Sequence, residues 1–181
     1  LTGGSKTPQG TTFIANMPTE EVYTMPAKYG VDGTVSNTKP LVYKGNVIDQ
    51  FTLTFEKGKI VKAHAEVGND LLQQLITTDE GASYLGEVAL VPHQSPISAS
   101  NILYYNTLFD ENASNHLAIG EAYPTCYEGG RELESGQLES LGINTSVTHE
   151  DFMIGSGEMD IDGELADGTM EPIFRKGNWA F

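Results

Sequence analysis

Residues 148–157, THEDFMIGSG, set His149 and Asp151 two positions apart, ahead of an apolar run. In an extended segment, residues i and i+2 project from the same face. The imidazole and the carboxylate can then reach one cation while Glu150 turns away. The spacing alone is weak evidence. Four histidines and 25 acids in 181 residues give roughly one such pair by chance, and His64-x-Glu66 has the same form. A metal site needs further donors, and several polar residues break their local pattern. Glu87 lies inside LGEVALV, where every neighbour is apolar or glycine. An ionised carboxylate in a buried strand needs a cation or strong donors; the alternative is an edge strand whose Glu faces solvent. His116, at the mouth of a strand between DENASN and LAIGEAY, is either a ligand or a hydrogen-bonded structural residue. Glu20 and Glu21 follow a strand-like segment and a proline. They are either surface acids or a metal ligand beside a general base.

Other polar features carry less. Tyr123 precedes Pro124, which biases its backbone to extended; a core position with a satisfied hydroxyl is enough to explain it. Asp160-x-Asp162-Gly163 suggests a calcium loop, but an EF-hand needs glycine at position six and Glu at twelve, and the spacing fails. His64, His93 and Cys126 read as a strand histidine, a loop histidine and a small buried thiol.

The elements that must position these side chains are mostly strands. QFTLTFEKGKIVKAHAE alternates Phe51, Leu53 and Phe55, turns at Lys57-Gly58 and resumes at Ile60, which predicts a β-hairpin. GNDLLQQLITTDEG predicts a helix with Asn69 as its cap and Leu71, Leu72, Leu75 and Ile76 on one face. YLGEVALVP reads as a short strand, SASNILYYNTLF as a helix, DENASN as a polar turn and HLAIG as a strand. GEMDIDGELADGTMEPIF reads as a second hairpin turning at Asp167-Gly168. Strands grouped in hairpins with a few short helices predict an α+β fold with mainly antiparallel pairing.

Composition bounds the function classes. A chain of 181 residues fits one domain with a sizeable core. With 25 acids against 10 bases the formal charge is −15, which argues against affinity for nucleic acid or anionic membrane. A single cysteine excludes an internal disulfide. No apolar run approaches the length of a membrane span, and the start LTGGSKTPQG has no leader pattern.

Taken together, NMPTEEVYTMP, LGEVALV, SPIS, ILYYNTLFDENASNHLAIGEAYP and HEDFMIGS resemble the blocks of the thermophilic-type metallo-aminopeptidases (the aminopeptidase T, S and II type). The blocks run in order from about residue 10 to the C-terminus. The resemblance implies that residues 1–181 are one metal-binding catalytic domain, the C-terminal half of a longer enzyme with an α/β half ahead of it. It implies two divalent metal ions (Zn, Co, Mn or Mg) held by Glu21, Glu87, His116, His149 and Asp151, with Glu87 the candidate bridge. It further implies an active-site role for Tyr123. Glu20 then suits a general base and Tyr123 a donor to the oxyanion. The implied reaction is hydrolysis of the N-terminal peptide bond of peptides by a metal-activated water, in a cytoplasmic homodimer. Asn115 departs from the family pattern beside His116, a change that should not alter coordination. The competing reading is a non-catalytic structural or dimerisation fragment, which loss of any one donor would have favoured.

Overall fold

A computed structural model describes residues 5–13 and 20–181; residues 14–19, which close the strand-like segment ahead of Glu20, lie outside the described residues. The architecture is α+β, with every strand pairing among the described residues antiparallel. A small ladder pairs β1 (Ser5–Lys6) with β2 (Thr12–Phe13). The site is carried by the sheet that contains β3 (Val22–Thr24), β8 (Leu85–Leu90), β9 (His116–Gly120) and β10 (His149–Met153), in the order β10-β9-β8-β3. A second sheet joins β4 (Gly33–Ser36), β5 (Leu41–Tyr43), β6 (Asn46–Glu56) and β7 (Lys59–Val67). A third comprises β11 (Ile161–Glu164), β12 (Met170–Arg175) and β13 (Asn178–Trp179).

The expected hairpins form at their expected turns. Lys57 and Gly58 both take positive φ, 49° and 82°, which lets a two-residue loop follow the strand twist. The alternation in β6 buries Phe51, Leu53 and Phe55. They meet Leu72 and Leu75 of α1 (Asn69–Ile76) and Leu85, Ile119 and Phe152 from the site sheet in one core cluster. Phe51 and Phe152 pack with ring centroids 5.5 Å apart. The core therefore lies between the β6–β7 hairpin with its helix and one face of the site sheet.

Two local expectations are corrected. Gly68 in the left-handed conformation, not Asn69, caps α1. The Asn69 side chain accepts the Ala65 N–H instead, tying the helix start back to β7. The continuous helix expected over 98–109 is broken into α2 (Pro96–Ser100) and α3 (Thr107–Asp110). Asn101 and Tyr105 between them have φ of 55° and 56°, and the Asp110 carboxylate accepts the N–H groups of Tyr104 and Asn106. A side chain that captures backbone amides competes with the helix ladder. α4 (Ser135–Ser140) completes the helices.

Ser95 both caps α2, accepting the Ser98 N–H, and donates its hydroxyl to the Asn112 carbonyl. Ser95→Ala should cost about 1–2 kcal/mol, measured by urea unfolding at constant m-value.

Candidate metal centre

Register places the donors. In an antiparallel pair, directly opposed residues share a face, as do residues two apart on one strand. His116 opposes Ala89 and Met153, while Ala118 opposes both Glu87 and Asp151. His149 opposes Gly120, and Tyr23, two residues after Glu21, opposes Ala89. All of these lie on one face. Leu85, Leu117, Ile119 and Phe152 take the other face, against the core. Ala89, Ala118 and Gly120 between the donors leave room for carboxylates to approach.

Glu87 reaches this face through an irregularity. Leu85 opposes Ile119, yet Glu87 opposes Ala118, so Gly86 is an extra residue in β8. Such a bulge re-aims the side chains that follow it. In unbroken register Glu87 would oppose Leu117 and point into the core. Only glycine fits here, because a Cβ on residue 86 would lie 2.0 Å from the Glu121 carbonyl oxygen.

The donor atoms converge in two groups that share a residue: Glu21, Glu87 and His116, and Glu87, His149 and Asp151, each with donor atoms within 4.8 Å of one another. Glu87 turns one oxygen to each imidazole. Oε1 is 3.4 Å from His116 Nε2 and Oε2 is 3.9 Å from His149 Nε2. Glu21 Oε2 lies 3.6 Å from His116 Nε2, and Asp151 Oδ1 lies 3.5 Å from His149 Nε2. Glu20 belongs to neither group. Tyr123 stacks beside His149 with ring centroids 4.5 Å apart and is half-exposed.

The imidazoles are oriented from behind. His116 Nδ1 lies 3.0 Å from the Ser114 carbonyl, and His149 Nδ1 lies 2.7 Å from that of Glu121. A carbonyl only accepts, so Nδ1 carries a proton, and a ring that gives up its second proton presents the Nε2 lone pair to the cluster, as metal-ligating histidines do. His116 Nε2 and Asp151 Oδ1 are buried with no directed hydrogen bond among the described residues. A buried polar atom without a partner is costly, and a cation at each donor group would satisfy the atom that faces it, His116 Nε2 in one and Asp151 Oδ1 in the other. The donor set fits such ions.

Charge crowding moves the titrations. Burial, with Glu87 and Asp151 adding to it and His116 opposing, lifts the Glu21 carboxyl to about 7. Burial pulls His116 down, but Glu87, Asp151, the Ser114 carbonyl and Glu21 outweigh it and carry the ring to about 9. His149 is likewise pulled down by burial and carried to about 9, chiefly by Asp151. Burial and then the negative charges of Asp151, Glu87 and Glu111 raise the Tyr123 phenol to about 12. The cluster holds protons where a cation would displace them.

Sequence reasoning missed how the DENASN turn covers this face. Asp110, Glu111, Asn112, Ser114 and Asn115 are all buried. Glu111 feels Asp151 and Glu21, and burial followed by those charges pushes it up to about 8. Asn115 accepts the Val91 N–H, donates to Met159 Sδ and takes no place in either donor group. The one signal was that six polar or small residues ran together without the Gly or Pro usual in a solvent turn. His64 stays exposed beside Glu66, away from the cluster.

An antiparallel sheet with carboxylates and imidazoles gathered on one buried face is a cation-binding architecture. The chain belongs to the family described as thermophilic metalloprotease (M29), whose pattern it matches over residues 1–179. It is 65% identical to aminopeptidase AmpS of Bacillus subtilis, over 98% of this chain and 43% of that protein. It is 61% identical to aminopeptidase 2 of Geobacillus stearothermophilus, over 99% of this chain and 44% of that protein. The solved structure of wild-type AmpT from Thermus thermophilus superposes with a TM-score of 0.90 at 43% identity, covering 99% of this chain and 44% of that one. The chain thus spans less than half the length of the curated relatives it matches. No helix among the described residues is long and apolar enough to cross a membrane.

Proposed function

We propose that this chain is the metal-binding catalytic domain of an aminopeptidase, holding two divalent cations (Zn, Co, Mn or Mg) through Glu21, Glu87, His116, His149 and Asp151. The observation that carries the reading is the Glu87 carboxylate, which belongs to both donor groups and turns one oxygen to each. Carboxylate and imidazole donors without thiolate suit these borderline-to-hard ions. Three carboxylates, Glu21, Glu87 and Asp151, crowd into the two groups, a negative charge that cations would offset. The names of the relatives, aminopeptidases, favour peptides as substrates.

Bound there, the pair of cations would supply Lewis acidity toward a scissile carbonyl and acidify a water. The chain's own residues do the rest. Glu87 holds the two positions in fixed register, and the Ser114 and Glu121 carbonyls fix the two imidazoles. Glu20, next to a ligand, takes the general-base role. The Tyr123 phenol, beside His149, donates to the oxyanion. The free α-amine of a peptide would also find a ligand position on a cation held there, which would favour cleavage at the N-terminus. Residues beyond this chain, in a protein of the relatives' length, would complete the cleft, and a cytoplasmic homodimer is the expected assembly.

The test is calorimetric titration of cobalt or zinc into metal-stripped chain, with two ions bound per chain as the expected result. In a protein of the relatives' length, metal should restore hydrolysis of leucine p-nitroanilide but not of its N-acetyl derivative. No metal uptake, or equal cleavage of the blocked substrate, would overturn the reading.

A further inference from the structure

Glu21 is the donor least held by its own strand. β3 is three residues long, pairs among the described residues only with β8, and begins at Val22, one residue after Glu21. The ladder therefore does not fix the backbone that carries this carboxylate. A buried side chain does. The Glu20 N–H donates to Asn112 Oδ1 at 2.9 Å, across 92 positions of sequence.

Asn112 is itself immobilised. Its relative exposure is 0%, its Nδ2 donates to the Leu108 carbonyl at 3.1 Å, and its carbonyl accepts the Ser95 hydroxyl at 3.0 Å. Both ends of the amide are used, one as acceptor and one as donor. An ionised Asp would face the Leu108 carbonyl with a second acceptor, and an apolar side chain would leave the Glu20 N–H unpaired. Asn112 also stands four residues before His116, whose Nε2 lies 3.6 Å from Glu21. One short, buried segment thus delivers His116 and sets the reach of Glu21 toward it.

The geometry points to Asn112 as a positioning residue for the cation held by Glu21, Glu87 and His116, acting through the Glu20–Glu21 backbone. The inference rests on the two-cation reading above. Groups that orient metal ligands from behind typically change affinity 10- to 100-fold when removed, and the effect here should fall on one cation only.

The experiment is cobalt titration of metal-stripped wild type, Asn112→Ala, Glu21→Gln, Asp151→Asn and the double variant Asn112→Ala/Glu21→Gln. Wild type should take up two ions. Asn112→Ala should weaken one binding step about 10- to 100-fold, the step weakened by Glu21→Gln and not the one weakened by Asp151→Asn. In the Glu21→Gln background, Asn112→Ala should add less than about 3-fold, because the residue through which it acts is already gone. Equal weakening of both steps, unchanged affinities, or full additivity with Glu21→Gln overturns the inference while leaving two-cation binding in place. A wild-type chain that binds no cobalt overturns both. Should Asn112→Ala fail to fold by circular dichroism, Asn112→Ser, whose hydroxyl stops short of the Glu20 N–H, is read against the same outcomes.

Discussion

Glu87→Gln should leave the protein folded and unable to hold either cation tightly. The side chain keeps its shape, so the bulge at Gly86 and the packing around Ala118 are undisturbed. What changes is charge and donor type. A carboxylate with one oxygen facing each imidazole becomes an amide that offers one oxygen and one N–H donor. Every other donor belongs to a single group; Glu87 belongs to both. Affinity at both positions should therefore fall by more than about 100-fold. If the cations contribute about 4 kcal/mol to the barrier, kcat/KM in a protein of the relatives' length should fall about 1000-fold. The metal-free variant should unfold at a somewhat lower urea concentration than wild type near pH 7, because the two imidazoles that the Glu87 carboxylate helps to keep protonated lose that partner. Retention of two tight cobalt sites, or activity near wild type, would rule out a shared Glu87.

Gly86→Ala should damage both the fold and the donor cluster. The added Cβ would meet the Glu121 carbonyl oxygen at 2.0 Å and the Gly120 carbonyl oxygen at 2.5 Å. Both obstacles are backbone, so no side-chain rotation relieves them. Either β8 withdraws from the turn that follows β9, or the extra residue is squeezed out of register. The first loses ladder bonds, and the second turns Glu87 toward Leu117 and the core. A loss of about 4 kcal/mol or more is expected, which for a chain of this size corresponds to a drop in Tm of about 10 °C. Cobalt binding should fail at temperatures where the variant is still folded. A stability change below about 1 kcal/mol in urea would show that the bulge does not depend on glycine.

Local periodicity was enough to read the hairpins and the strand character of the site. Phe51, Leu53 and Phe55 alternate, and Lys57-Gly58 is a turn that only one backbone geometry suits, so β6 and β7 were legible residue by residue. HLAIG likewise read as a strand, and in HEDFM an extended backbone was the condition for His149 and Asp151 to share a face, which β10 meets. What periodicity cannot carry is the identity of whatever covers a face. DENASN read as a polar turn because every residue in it is at home in water; its burial comes from contacts with Glu20, Val91 and Gly155, all distant in sequence. The helix expected over 98–109 failed for a related reason, since Asp110 takes the amides of Tyr104 and Asn106. In LGEVALV, period two puts Leu85 and Glu87 on the same side, and the inserted residue that separates them shows only in register against Ile119 and Ala118. The choice between Glu20 and Glu21 depended on the same information: Tyr23 opposite Ala89 is what aligns Glu21 with the cluster.

The strand order β10-β9-β8-β3 sets which donors can be lost by fraying. Glu87 and His116 sit on interior strands hydrogen-bonded along both edges, whose amides are released only when the whole sheet opens. Glu21 stands at the start of one outer strand, and His149 and Asp151 ride on the other. A brief excursion of β10 away from β9 takes two donors from one group and leaves the other with all three of its own. If two ions are held as proposed, their exchange with solvent would be uncoupled: the one near Asp151 would turn over on the timescale of edge opening, and the one near Glu21 would keep two of its donors until global unfolding.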